Sequence, residues 1–298
     1  MKKKYWFLIW AVLIASVCWN IYWNSTIVVH TYTHEGRDVP ESFEGFCIVQ
    51  LTDIHSVRSE KQGQLILEKT AGQKPDIICI TGDLVDSRYY GQHGIEGEAR
   101  TLRLLEELTR LAPVYFVYGN HEMILLDDPE RNAFKTAAEE LGIQLINNET
   151  HKITLEKGDE EIYIAGIQDP STLYKDYRYA YLDNNAERME AMLDVVTEGI
   201  HDEDFVLLLS HRPEYLEMYD QYPVDLCLTG HAHGGQFRIP FIGGVYAPGQ
   251  GFFPKYTTGV YAASDMEMYV GTGIGNSAIP VRIFNPPEIL TITLKKGG

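Results

Sequence analysis

The chain has 298 residues, of which 45% are hydrophobic, and it carries a formal charge of −17 at pH 7. This length suffices for one domain of about 250 residues with a sizeable core plus an appendage, and two small domains would also fit. The negative charge repels nucleic acid phosphates. A nucleic-acid-binding function is therefore not expected.

The amino terminus has the pattern of a membrane span. Lysines at positions 2–4 precede an apolar stretch, 5–23, which is long enough to cross a bilayer as a helix. The alternative is a cleaved signal peptide, but its apolar region would be shorter, and 15–17 is a poor cleavage site. We therefore expect residues 1–24 to form an uncleaved membrane anchor.

The lysines also predict the orientation of that anchor. They precede the span, whereas Arg37 is the only cation among the first residues after it. By the positive-inside rule, the amino terminus is cytoplasmic and the body of this single-pass protein lies outside the cytoplasm. The whole chain has a formal charge of −17, so the body without the three anchor lysines has −17 − 3 = −20. We expect a juxtamembrane segment at 25–43, with a short strand and a linker, and one domain at 44–298.

Short apolar runs alternate with segments of helical periodicity along the chain. Strands are predicted at 46–51, 76–81, 114–119, 143–147, 152–158, 161–168, 205–210 and 225–230. Helices are predicted at 60–73, 95–111, 129–142, 184–199 and 213–222. The last sixty residues are rich in glycine and β-formers. An α/β fold follows, with two mixed β-sheets packed face to face and flanked by helices.

A polar cluster follows each of five predicted strands. The clusters contain Asp53 and His55; Asp83 and Asp86; Asn120, His121 and Glu122; His211; and His231 and His233. Each cluster alone is typical of a turn, a helix cap or a hydrogen-bonded histidine. Together, at strand ends, they predict one site on one edge of the fold. Histidine, aspartate and asparagine suit divalent Mn, Fe, Zn or Ni.

The order D-x-H, G-D-x-x-D, G-N-H-E, a lone histidine and G-H-x-H resembles the calcineurin-like metallophosphoesterase superfamily over residues 44–295. The resemblance implies an αββα sandwich and a pair of divalent metal ions bridged by Asp83. It implies one ion held by Asp53, His55, Asp83 and His233, and the other by Asp83, Asn120, His211 and His231. It also implies hydrolysis of a phosphoric ester by in-line attack of a metal-bridging hydroxide.

The resemblance further implies roles for the neighbours of these ligands. His121 would stabilise the transition state or protonate the leaving oxygen, and Asp86 and Glu122 would hold His121 or the loops in place. His231 and His233 are separated by one residue. On an extended backbone they would project to the same side.

The substrate is less defined by the sequence. Arg88, Arg212, Arg238 and Arg282 are the cations near the polar clusters, and Arg88 and Arg282 are taken as candidate substrate-binding residues. Ordinary surface ion pairs are the alternative. Aromatic clusters at Tyr89–Tyr90, at Tyr174, Tyr177, Tyr179 and Tyr181, and at Phe252–Phe253 with Tyr256 either pack loops over the sheet or cap the site and dip into a membrane surface.

The amino-terminal span and the stretches GHAHGGQFRIP and GTGIGNSAIPVRIFNPPEI resemble a membrane-associated, YkuE/YaeI-like branch related to UDP-2,3-diacylglucosamine hydrolases. That branch implies a phosphodiester or pyrophosphate bond in a lipid, nucleotide-sugar or cell-envelope substrate. A phosphomonoesterase of small phosphates or phosphoproteins and a non-catalytic scaffold with this fold remain as alternatives.

Overall fold

The computed structural model describes residues 2–126, 133–154, 158–171, 182, 184–276 and 281–298. The described helices are α1 (Lys2–Asn24), α2 (Glu60–Ala71), α3 (Ser87–Gly97), α4 (Ala99–Thr109), α5 (Asn120–Leu126), α6 (Ala133–Glu140), α7 (Asn185–Val196) and α8 (Leu216–Tyr219). Short 3₁₀ turns cover Glu41–Phe43, Pro213–Tyr215 and His233–Gly235.

Sixteen strands are described. They are β1 (Val28–Gly36), β2 (Cys47–Leu51), β3 (Ile77–Thr81), β4 (Val114–Val117), β5 (Gln144–Leu145), β6 (Glu149–Thr154), β7 (Glu161–Gly166), β8 (Val206–Leu209), β9 (Leu226–Thr229), β10 (Arg238–Ile239), β11 (Gly243–Gly244), β12 (Tyr246–Ala247), β13 (Gly251–Phe252), β14 (Gly259–Ala262), β15 (Glu267–Val270) and β16 (Glu288–Lys296).

The strands build two mixed six-stranded sheets. The first has the order β1-β16-β2-β3-β4-β5 and the second β14-β15-β9-β8-β7-β6. Strands β2 to β5 run parallel to one another, as do β7, β8, β9 and β15. The pairs β16 with β2, β6 with β7, and β14 with β15 are antiparallel. Two mixed sheets were predicted, and the structure confirms them.

Among the described residues, three hydrophobic cores hold the layers together. The middle core joins the facing sides of the two sheets through residues such as Ile48, Leu207 and Ile292. A second core packs helices α2, α4 and α6 on the outer side of the first sheet, with Leu105 at its centre. A third packs α7 and α8 on the second sheet, with Leu193 at its centre. The helix–sheet–sheet–helix sandwich is thereby confirmed.

The segment 25–43 differs from its prediction as a short strand and a linker. Strand β1 pairs in parallel with β16 over nine residues, from Val28 with Glu288 to Gly36 with Lys296. Val39 and Phe43 are fully buried in the core between the sheets. The segment therefore belongs to the folded body. Helices α3 and α5 were also absent from the sequence prediction, because each begins at a polar cluster that reads as a turn.

Helix α1 is long and apolar enough, by length and composition, to cross a membrane. Its last turn is attached to the body through two asparagines. The side-chain amides of Asn20 and Asn24 donate to the carbonyl oxygen of Arg282 at 2.9 and 3.0 Å. The side-chain oxygen Oδ1 of Asn20 accepts from the backbone N–H of Phe284 at 3.3 Å. The end of α1 is thus fixed against the loop 282–284.

Candidate metal centre

The five polar clusters lie at the carboxyl ends of β2, β3, β4, β8 and β9, three in the first sheet and two in the second. The structure brings them together at one edge of the sandwich. The carboxylates and imidazoles assigned to the metals are all buried: Asp53, His55, Asp83, His211, His231 and His233. Two groups of side chains form there, and Asp83 belongs to both.

The first group contains Asp53, His55, Asp83 and His233. The Nε2 atoms of His55 and His233 lie 3.1 Å apart. Asp53 Oδ1 lies 3.3 Å from His233 Nε2, and Asp83 Oδ2 lies 3.8 Å from His55 Nε2. Their nitrogen and oxygen atoms therefore converge on one small volume.

The second group contains Asp83, His211 and His231. His211 Nε2 lies 3.4 Å from Asp83 Oδ2 and 3.1 Å from His231 Nδ1. Asn120 Oδ1 is buried and has no hydrogen-bond partner among the described residues. Asp83, His211 and His231 are three of the four ligands that the family resemblance implied for the second ion, and Asn120 stays a prediction.

These atoms fit divalent cations. Buried polar atoms are normally hydrogen-bonded, yet Asp53 Oδ1 and Asn120 Oδ1 have no partner in the described part of the chain. Asp53 Oδ1 instead faces His233 Nε2, 3.3 Å away. Imidazole, carboxylate and amide oxygen are ligands for first-row divalent ions, and such an ion would satisfy the unpaired atoms.

Hydrogen bonds behind the site orient its donor atoms. His211 Nδ1 donates to the carbonyl oxygen of Thr81 at 2.7 Å, so Nε2 is the ring nitrogen directed at the site. Asp53 Oδ2 accepts from the Thr52 hydroxyl at 2.8 Å and from the backbone N–H of His231 at 3.0 Å. That leaves Asp53 Oδ1 directed at His233.

Five of the seven proposed ligands have left-handed backbone conformations. Their φ values are 49° for Asp53, 51° for His55, 51° for Asp83, 62° for His231 and 47° for His233. Non-glycine residues seldom adopt this region, and such strain concentrates at functional sites. The extended backbone expected for the two neighbouring histidines was wrong. The chain turns at both, which allows each to join a different group.

Burial sets the ionisation of the imidazoles. It lowers the pKa of His55 to about 3 and lowers the pKa of His231 and that of His233 well below the usual range. A positive charge on a desolvated ring is unfavourable, because no surrounding water stabilises it. These three histidines are therefore neutral at pH 7, the form that ligates metal ions.

Asp83 and His211 form an oppositely charged pair. Burial opposes the charged form of both, but their mutual attraction and hydrogen bond dominate. The pKa of Asp83 consequently falls well below its usual range, and the pKa of His211 rises to about 10. A bound cation would take over the role of the His211 proton, because it would provide the positive charge that the buried carboxylate requires.

Glu122 holds the loops that carry the ligands. Its carboxylate accepts backbone N–H groups of Asp83, Val85 and Gly119, each at 2.9 Å. Burial and the charge of Asp83 raise the pKa of Glu122 to about 8. Glu122 thus joins the ends of β3 and β4 from behind the site, which is the positioning role expected for it.

His121 stands beside both groups at the start of α5. Its Nδ1 accepts from the backbone N–H of Ser87 at 3.0 Å and lies 3.2 Å from the Ser87 hydroxyl. A neutral His121 therefore carries its proton on Nε2. Asp86 Oδ1 is farther away, 3.7 Å from His121 Nδ1, and it caps α3 by accepting from the N–H of Arg88 at 2.9 Å. Ser87, which the sequence did not single out, is the residue that orients His121.

A cavity of about 770 Å³ opens beside the site. Its lining includes His55 and Asp86 of the site, Asn20 and Ile21 of α1, and residues 24–27 at the end of α1. The cations that line it among the described residues are Arg58, Lys61 and Arg282. Arg58 and Lys61 were not recognised from the sequence, because their position beside the site depends on how α2 begins.

The predicted substrate-binding arginines have different positions. Arg88 is half exposed on α3, with Nε 3.4 Å from Asp86 Oδ1, and it does not line the cavity. Arg282 is fully buried and donates to the carbonyl oxygens of Thr272 and Gly275. Its Nη2 lies 3.4 Å from His233 Nδ1. Arg282 therefore supports the loops and His233 from behind.

Arg58 is the cation best placed at the cavity. Its Nη2 lies 3.1 Å from Asp86 Oδ2, and its guanidinium stacks 3.7 Å above the Tyr89 ring. Arg212 is instead paired with Asp169 and Glu214. The tyrosine cluster at Tyr174, Tyr177, Tyr179 and Tyr181 lies outside the described residues.

Comparison with known proteins agrees with this geometry. Residues 47–235 match the family model of the calcineurin-like phosphoesterases. A metallophosphoesterase of Bacillus subtilis, YkuE, is 30% identical over 269 residues, which cover 89% of this chain and 84% of YkuE. The chain therefore encodes a phosphoric ester hydrolase with an Asp- and His-rich site for divalent metal ions. It belongs to the calcineurin-like metallophosphoesterase family.

Two more distant similarities were found. A zebrafish protein named transmembrane protein with metallophosphoesterase domain is 30% identical over 268 residues, covering 87% of this chain and 55% of its own length. A crystal structure of a dimetal phosphatase from zebrafish aligns with 78% of this chain and 88% of its own, at 11% identity and a TM-score of 0.46.

Replacing Asp83 tests whether one carboxylate serves both groups. We expect Asp83→Asn to lose both bound ions, because the neutral amide removes the negative charge that the groups share. Metal content per chain, measured by inductively coupled plasma mass spectrometry after dialysis, should fall close to zero. Asp76→Asn, which changes the carboxylate directly before β3 at the end of the strand opposite the site, is the matched control and should retain the wild-type metal content. Full metal content in Asp83→Asn would contradict the shared role.

Proposed function

We propose that this chain is a membrane-anchored phosphoesterase with a binuclear metal centre that hydrolyses a phosphodiester or pyrophosphate bond of an amphiphilic substrate. The observation that carries the proposal is the cavity of about 770 Å³, which extends from His55 to the last turn of α1. A substrate whose phosphate lies at the metal centre would thus extend toward the point where the chain meets the bilayer. A lipid or a nucleotide sugar that carries acyl chains fits this arrangement.

The lining of the cavity supports such a substrate. Ile21, Ile27 and Ile54 provide apolar contacts, and Asn20 and Asn24 provide amide groups near the end of α1. Ligand sites commonly combine a mostly apolar wall with a few polar groups that fix orientation. An apolar wall running toward the anchor favours acyl chains at that end of the cavity.

The cations favour a substrate with more than one charged group. Arg58 and Lys61 are exposed cations at the cavity, separate from both metal-binding groups. An arginine guanidinium binds phosphate oxygens bidentately, and Asp86 and Tyr89 hold that of Arg58 in place. A second phosphate, as in a pyrophosphate or a nucleotide sugar, would therefore bind there, while a simple monoester would leave these cations unused.

Different side chains of the site have different roles in the proposed reaction. Two divalent ions held by the two groups would activate a water, orient the phosphoryl group and neutralise charge on its oxygens. Hydrolysis forms a bond from water oxygen to phosphorus and breaks the bond to the leaving oxygen. His121, with Nδ1 held by Ser87, presents Nε2–H to a phosphoryl or leaving oxygen. Asp86 and Glu122 keep the loops in position.

The proposal includes the membrane topology predicted from the lysines, with the amino terminus in the cytoplasm and the body outside it. The substrate is then a phosphorylated small molecule or lipid on the outer side of the cell membrane. Nucleic acid is not expected as a substrate, because the body is strongly acidic. Both metal-binding groups and His121 are present, so nothing favours a non-catalytic scaffold.

A metal-dependent assay tests the function. The full chain in nanodiscs would be stripped of metal by a chelator, and Mn²⁺ or Zn²⁺ would be added back. We expect restored hydrolysis of bis(p-nitrophenyl) phosphate and of an acylated nucleotide-sugar diphosphate, and much slower hydrolysis of p-nitrophenyl phosphate. Faster turnover of the monoester than of either other substrate would overturn the bond assignment. No metal-dependent turnover of any of them would overturn the function.

Removing the imidazole of His121 should separate catalysis from metal binding. We expect His121→Ala to retain its metal ions and to lose about 10²- to 10⁴-fold in kcat, the range for a general acid. Metal analysis and steady-state kinetics measure the two effects. His201→Ala is the control, since His201 is exposed in the loop before β8, at the end of that strand opposite the site. A wild-type kcat in His121→Ala would exclude the assigned role.

Protease treatment of intact cells tests the topology. We expect the body to be degraded when protease is added outside, because the lysines hold the amino terminus in the cytoplasm. A cytoplasmic marker protein should survive in the same sample. Protection of the body until the cells are lysed would reverse the proposed orientation.

A further inference from the structure

Loops beside the cavity carry large apolar side chains that are exposed. Two hairpins, β10 with β11 and β12 with β13, present Phe241, Ile242, Phe252 and Phe253. Phe284, in the loop before β16, is exposed as well. We refer to residues 238–253 and 281–284 as the apolar platform. Exposed apolar patches of this kind mark interaction surfaces.

Backbone hydrogen bonds join the platform into one surface. The N–H of Val245 donates to the carbonyl oxygen of Phe237 at 2.8 Å, and the N–H of Phe253 donates to that of Val245 at 2.9 Å. The N–H of Arg238 donates to Ile283 at 2.9 Å, which attaches the hairpins to the loop 281–284. The exposed side chains therefore stand on a connected framework.

The same framework is attached to the end of α1. Asn20 and Asn24 donate to the carbonyl oxygen of Arg282, which lies within the platform. The N–H of Phe284 donates to the Asn20 side chain. The platform is therefore hydrogen-bonded directly to the end of the helix that we propose to cross the membrane.

The charge of the platform differs from that of the chain. The sequence contains 42 acidic residues, yet 226–264 contains no aspartate or glutamate, and neither does 281–287 or 1–24. Arg238 and Lys255 are the cations of the longer stretch that lie close to the hairpins. Anionic headgroups repel an acidic surface, so this is the part of the body that can approach a bilayer.

We propose that the apolar platform lies on the lipid bilayer, with Phe241 and Ile242 at the tip of the first hairpin and Phe252 and Phe253 at the end of the second inserted at the boundary of headgroups and acyl chains. The inference rests on the proposed anchoring by α1. Exposed phenylalanine and isoleucine side chains suit insertion to this depth, and the attachment to α1 selects the bilayer over a soluble protein as the occupant. Val281 and Arg282 belong to both the platform and the cavity lining, so the cavity opens at the membrane surface.

Site-directed fluorescence in nanodiscs tests the contact. The full chain would carry Cys18→Ser and Cys47→Ser, leaving Cys79 and Cys227, which are buried. A nitrobenzoxadiazole label would be placed on Phe241→Cys or on Phe252→Cys. Nanodiscs of phosphatidylcholine and phosphatidylglycerol would be prepared with and without lipids that carry a doxyl quencher near the headgroup.

Matched labels define the comparison. Leu111→Cys after α4 and Val195→Cys on α7 replace exposed apolar residues on the helical layers. A label on the native Cys18, in a chain that carries only Cys47→Ser, reports whether α1 is inserted. We expect the labels at 241 and 252 to emit at shorter wavelength and to lose most of their emission to the doxyl lipid. The labels at 111 and 195 should lose almost none.

The outcomes separate the two proposals. Quenching at Cys18 without quenching at 241 and 252 would overturn the platform contact and leave the anchoring intact. No quenching at any of the three would overturn both. A short-wavelength emission at 241 and 252 that the doxyl lipid does not quench would mean that protein, such as a second copy of this chain, covers the platform.

Discussion

The site depends on one buried carboxylate, that of Asp83, which belongs to both groups of converging side chains. A buried negative charge is stable only where cations or donors surround it. Here Oδ1 accepts the N–H of His121, Oδ2 faces His55 and His211, and the backbone N–H of Asp83 donates to Glu122. The ends of β3, β4 and β8 are therefore arranged around a single side chain.

The close packing around Asp83 and Asp53 leaves no room for a side chain at two neighbouring glycines. A Cβ at Gly119 would overlap the Asp83 carboxylate, and a Cβ at Gly230 would overlap Thr52 and Asp53. Glycine thus allows the end of β4 to approach that of β3 within the first sheet, and the end of β9 to approach that of β2 in the facing sheet. Each of these glycines directly precedes a proposed ligand. The left-handed conformations of the ligands then turn each side chain inward. Burial in the sandwich, not solvent, holds this strained arrangement in place.

The acidic body and the metal site differ in the charge of the groups that they attract. Most of the body is acidic, which repels polyanions, whereas the metal site gathers carboxylates and imidazoles that would hold divalent cations at the end of a cavity. The cavity runs to α1, and the acid-free loops lie next to the same helix. Under the proposed function, an amphiphilic substrate would reach the centre by lateral diffusion in the bilayer.

The sequence alone determined the central strands and the chemistry of the site. Apolar runs such as 77–81 are buried on both faces, and polar residues that end parallel strands must meet at one edge, so Asp53, Asp83 and His211 could be placed without coordinates. Only the tertiary structure decided which side chains stand behind or beside them. Ser87, Arg58 and the buried Arg282 owe their roles to contacts between segments distant in sequence. Local patterns carry no information about such contacts, because packing between layers creates them.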